Sequence, residues 1–135
     1  MKNEEIDITF INEFNALLNS RHVPAISQSP NGFIPDARAR QLGSTIIEQL
    51  GFATLASISG GRWFMIDAKT VRLPIRYGWA VDVEYSRADD AYIVKRVFVR
   101  KDRTSVKGSV RDVYFVELPE IAYEASLYLM GDFGR

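Results

Sequence analysis

Hydrophobic positions recur at helical spacing near the start of the chain. Ile6, Phe10, Ile11, Phe14, Leu17 and Leu18 share one face, which predicts an amphipathic helix over 3–20. Residues 21–35 show no period; they hold Pro24, Pro30, Pro35 and the turn sequence Ser29-Pro30-Asn31-Gly32. A second helix is expected between Asp36 as N-cap and Gly51 as stop. Ala39, Leu42, Ile46 and Leu50 form its stripe, and Gly43 permits close approach. From residue 52 the pattern reads as strands. Phe52–Ser59 and Arg62–Asp67 are expected to form a hairpin around Gly60-Gly61. Strands follow over Val71–Arg76, Trp79–Tyr85, Tyr92–Arg100 and Ser109–Leu118, with Lys101–Gly108 as a charged loop. Pro119 opens a short closing helix to about Met130, stopped by Gly131. Short connections between successive strands favour an antiparallel meander. The expected fold is α+β: two N-terminal helices, five to six antiparallel strands and a short C-terminal helix, in one domain over 1–135.

Composition narrows the classes of function. The chain has 135 residues, 47% hydrophobic and 25% charged, which is ordinary for a globular domain. It contains no cysteine, which excludes disulfide scaffolds, thiolate zinc sites and thiol catalysis. The start is acidic rather than basic-then-apolar, so no export signal is read, and no apolar run is long enough to span a bilayer. A cytoplasmic location without membrane contact is expected.

Charge is balanced overall but uneven along the chain. Residues 62–111 carry twelve basic and six acidic side chains, while both flanking segments are net acidic. Lys95, Arg96, Arg100, Lys101, Arg103, Lys107 and Arg111 face only Asp102 within 95–111. Such a basic strand–loop–strand is suited to phosphates of a nucleic acid or to an acidic protein surface. Thr104, Ser105 and Ser109 add hydroxyl donors. Tyr92, Val94 and Phe98 occupy one face of their strand and Ile93, Val97 and Val99 the other, so apolar sheet surface is available for a protein partner or self-association.

Candidate chemistry is sparse. His22 is the single histidine, in a proline-bearing loop, and a surface role is expected for it. No phosphate loop or dinucleotide fingerprint occurs, so no cofactor is expected. Asp82 and Glu84 sit two apart on a strand, where a solvated face or ion pairs with Arg72 and Arg76 explain them. Asp67-Ala68-Lys69, after a strand, resembles the Asp/Glu-x-Lys half of the restriction-endonuclease-like nucleases. That resemblance covers three residues and implies a metal-dependent nuclease, with Asp67 helping to hold a divalent ion and Lys69 stabilising charge. The second acid would be Glu48, Asp82 or Glu84. Against it, the leading expectation is a non-enzymatic binding or assembly module working through protein contacts, with the basic 95–111 segment as its surface.

Overall fold

The computed structural model describes residues 29–134. The expected helix over 3–20 and His22 lie outside the described residues. The Ser29–Gly32 turn closes through the Gly32 amide and the Ser29 carbonyl at 2.9 Å. Asp36 then accepts from the Ala39 amide at 2.8 Å and caps α1 (Ala37–Leu50). Gly51, at φ 87°, ends it. The stripe buries Ala39, Gly43, Ile46 and Leu50. A Cβ on Gly43 would stand 3.0 Å from the Met65 sulfur and 3.1 Å from the Trp63 ring, so this position allows the helix to sit close on the sheet.

Phe52–Ser59 is a helix, α2, and not the expected strand. Leu55, Ile58 and Ser59 are its buried residues, a spacing of three and four that an eight-residue apolar run also contains. Gly60 and Gly61 have positive φ (66° and 89°), which suits a hairpin turn and a helix C-terminus equally. Here they end α2, with the Gly60 amide donating to the Ala56 carbonyl at 3.0 Å.

Five strands follow: β1 (Phe64–Asp67), β2 (Thr70–Pro74), β3 (Trp79–Ser86), β4 (Ala91–Arg100) and β5 (Arg103–Val113). They form one antiparallel meander in chain order. Pro74 lies past the last β1–β2 pair, Phe64 with Arg72, so its missing amide interrupts no ladder there. Tyr77 and Gly78, at φ 56° and 88°, make the two-residue turn from β2 to β3. The charged segment after Arg100 is strand rather than loop: only Lys101 and Asp102 turn, and pairing resumes at Arg103. Thr104 and Val106 suit a strand, and the ladder absorbs one extra residue near Lys107 as a bulge. A further register shift lies between the Val94 and Tyr92 pairs, where Asp112 has φ 56°.

One sheet face packs on the helices. Met65, Leu73, Val83 and Val94 meet Ile46, Leu55 and the closing helix α3 (Leu118–Ser126) in one buried cluster. Each fully buried side chain of this kind contributes about 1.5–3 kcal/mol. The alternation places Ile93 and Val97 on the other face, and they are buried as well. Of the two expectations for Asp82, a solvated face or an ion pair with Arg72 or Arg76, the structure has the pair with Arg72, and Asp82 is buried. The closing helix is shorter than expected: α3 ends at Ser126, and a 3-10 turn covers Tyr128–Met130. Leu127, at φ −87° and ψ 56°, leaves the helical conformation, and Arg96 donates to the Glu124, Ala125 and Leu127 carbonyls around this end. No helix among the described residues is long and apolar enough to cross a membrane.

Candidate anion-binding site

A meander places alternate turns at the same end of its sheet. Here the entry to β1, the β2–β3 turn and the β4–β5 turn share one end, and they carry Arg62, Arg76, Arg100, Lys101 and Arg103 against Asp102 alone. The opposite end carries Asp67, Asp89 and Asp90 with Lys69 and Arg87. The five cations come from three segments of the chain, and none has a carboxylate within ion-pair distance among the described residues. Arg100 and Arg103 stand directly opposite each other across the hairpin, a like-charge pairing that costs stability. Arg62 is held by backbone, its Nε donating to the Ser59 carbonyl at 3.2 Å and its Nη2 to the Ile75 carbonyl at 3.3 Å. Arg76 lies over the Tyr77 ring at 5.7 Å, and Tyr77 is 79% exposed.

Beside this end, an open cleft of about 700 Å³ lies on the sheet face away from the helices. Phe64, Ile66, Pro74 and Val99 give it apolar walls, and Arg62, Arg76 and Lys101 line it too. Arg72 grips Asp82 with two bonds, Nε to Oδ1 at 2.7 Å and Nη2 to Oδ2 at 2.8 Å. The same Nη2 donates to the Thr104 hydroxyl at 3.3 Å. Arg72 and Thr104 both line the cleft. Burial pushes the Asp82 carboxyl up, and the bonds from Arg72 only partly oppose it. A second depression, of about 490 Å³, adjoins the first across Lys101 and Asp102 and is lined by Phe98, Arg100, Arg103 and Ser105.

The seven basic residues of the expected surface do not lie on one surface. Arg100, Lys101 and Arg103 are exposed at the hairpin tip. Lys107 and Arg111 are exposed along β5, an edge strand, where cationic side chains discourage pairing by another chain. Lys95 is spent on Glu84, at 2.9 Å. Arg96 is a correction. It is buried against the helical layer, donating through Nε to the Ala125 carbonyl at 2.8 Å and through Nη1 to the Gly131 carbonyl. Burial among apolar neighbours pushes its pKa down. Arg76 and Tyr77 have no place in the expected surface, because that surface follows the charge run over 95–111, although the expected meander already places their turn at the same sheet end as the β4–β5 tip.

The alternative motif is also placed. Asp67 Oδ1 accepts from the Lys69 amide at 2.9 Å, an Asx turn between β1 and β2. Lys69 Nζ pairs with Glu84 at 3.3 Å. Glu48 is exposed on α1 and Asp82 belongs to Arg72. Among the described residues, no three histidine or carboxylate side chains are grouped to hold a metal ion.

Glu84 sets a pH dependence. Burial pushes its carboxyl up, but Lys95 and Lys69 outweigh burial and hold it below the usual glutamate range. A depressed folded pKa gives stability that is present above the unfolded pKa and lost as pH falls through the folded one. Asp82 has the opposite sign: its raised pKa means that acid relieves a cost. Urea midpoints followed from about pH 6 to about pH 3 should therefore fall less steeply in Glu84→Gln than in the parent. Equal slopes would show that the two lysines do not stabilise the carboxylate.

No protein-family model matches the chain, and the searches found neither a characterised protein nor a solved structure similar to it.

Proposed function

We propose that the protein is a non-enzymatic binding module whose basic sheet end tracks the phosphates of a single-stranded nucleic acid. The observation that carries this reading is the gathering of five cations from three segments at one sheet end, with one acid among them. Like charges placed opposite one another are unfavourable in the free protein and favourable on a polyanion. An exposed tyrosine beside an arginine supplies a face on which a base can stack. A single strand suits this arrangement, since the exposed Tyr77 ring can stack only on a base that is not paired and stacked in a duplex.

Fluorescence anisotropy of labelled single-stranded DNA and RNA tests the reading. Five phosphate contacts imply a log–log salt slope of about −3.5 on a single strand. Reversing Arg100, Lys101 and Arg103 together to glutamate should weaken binding at least about a hundredfold and flatten the slope by about 2. Absence of binding at low salt would overturn the reading. A protein-contact role would then take its place, favoured by Tyr114, Phe115 and Val116, three consecutive exposed apolar residues between β5 and α3.

A further inference from the structure

We infer that the cleft above Arg72 and Thr104 is a subsite for one nucleotide unit; this rests on the proposed strand-binding role and deepens it. The volume of about 700 Å³ lies within the range of small-ligand sites. Its lining has the two halves that a nucleotide requires. Phe64, Ile66, Pro74 and Val99 offer an apolar wall to a base. Arg62, Arg76 and Lys101 outnumber the one carboxylate among them, Asp102, and leave the lining positive, which suits a phosphate. The polar floor is rigid, because Arg72 is fixed by two bonds to Asp82 and a third to Thr104. A fixed guanidinium recognises a ligand oxygen without first losing rotamer freedom. Lys101 and Asp102 border both the cleft and the hairpin depression, so a strand lying along the tip can place one nucleotide in the cleft.

Nucleotide chemistry has two sources, a free nucleoside monophosphate and a unit of a strand, and the experiment separates them. Adenosine and uridine 5′-monophosphates, the nucleosides and inorganic phosphate are titrated into the full chain by NMR, alongside a single-stranded oligonucleotide. Thr104 is exposed on an edge strand, so Thr104→Phe fills the cleft and gives up one 3.3 Å bond from Arg72. Thr104→Val, which gives up the same bond without filling the cleft, should bind monophosphates nearly as the parent does. The expected result is binding of the monophosphates over both nucleoside and phosphate, weakened at least about tenfold by Thr104→Phe. The Arg100→Glu, Arg103→Glu double variant, which leaves the cleft lining intact, should reduce strand binding and spare the monophosphates. Monophosphate binding without strand binding would keep the cleft as a free-nucleotide site and overturn the strand reading. Strand binding that ignores Thr104→Phe, with no monophosphate bound, would overturn the cleft alone. Binding no better than that of inorganic phosphate would overturn it too, and silence in every titration would overturn both.

Discussion

Asp82→Ala should destabilise the protein by about 3–5 kcal/mol. Asp82 and Arg72 are cross-strand partners, β3 against β2, and both are buried. Their two bonds, 2.7 and 2.8 Å long, satisfy a guanidinium that has only the Thr104 hydroxyl besides among the described residues. Removing the carboxylate leaves a desolvated positive charge with one weak acceptor. The raised pKa of Asp82 shows that burial is already costly for the pair. Replacing both partners together, Arg72→Met with Asp82→Leu, should therefore restore most of the loss. Chemical denaturation of Arg72→Met, of Asp82→Leu and of the double decides this. A double variant as unstable as the two singles combined would mean that the residues act independently, against the bidentate geometry. The same double variant should lose monophosphate binding, since Arg72 lines the cleft.

The second large effect concerns Arg96. Arg96→Met should cost about 3 kcal/mol, a large share of the 5–15 kcal/mol typical of a domain. The guanidinium gathers carbonyls at and just past the end of α3: Ala125 at 2.8 Å, and Glu124 and Leu127 at 3.3 Å, both of which also accept a backbone amide. It also bonds the Gly131 carbonyl and lies over the Phe133 ring at 5.4 Å, so it fastens the C-terminal segment to β4. A lysine cannot reach this set of acceptors with one ammonium group, so Arg96→Lys should recover little. Arg100→Met, four residues along the same strand and exposed, should stay within about 0.5 kcal/mol of the parent. Guanidinium midpoints that rank Arg96→Met with Arg100→Met would show that the clamp contributes nothing.

These two arginines mark what could be read from the chain and what could not. Cap and stop residues were legible because they act locally: Asp36 and Gly51 bound α1 as expected, and Pro119 opens α3 within its first turn. The meander was legible because short connections leave a strand few partners. Phe52–Ser59 was not, since Leu55 and Ile58 fit either period over eight residues and paired glycines end helices as well as turning hairpins. The Lys101–Gly108 segment was misread as loop because its charges hid the strand pattern of Thr104 and Val106. Arg96 was misassigned for a different reason. It counts toward a run of basic residues in the sequence, and only the C-terminal segment, 28 to 35 residues further on, supplies the carbonyls it meets. The Arg72–Asp82 pairing was open to sequence reasoning, as was Thr104 as a donor. Their shared place in a cleft needed the register. Grouping Arg62, Arg76 and Tyr77 with the hairpin tip was within reach, since the expected meander already sets alternate turns at one end of the sheet; a charge count along the chain does not show it.

The central claim is about where a strand binds, so the most direct measurement maps it. Amide resonances of the protein are assigned, and a short single-stranded oligonucleotide is titrated at low salt. Shifts should concentrate at Arg62, Arg76–Gly78 and Arg100–Thr104, and should shrink as salt is added. Shifts centred on Tyr114–Val116 or on the acidic end around Asp89 and Asp90 would contradict the account, as would no shifts at all.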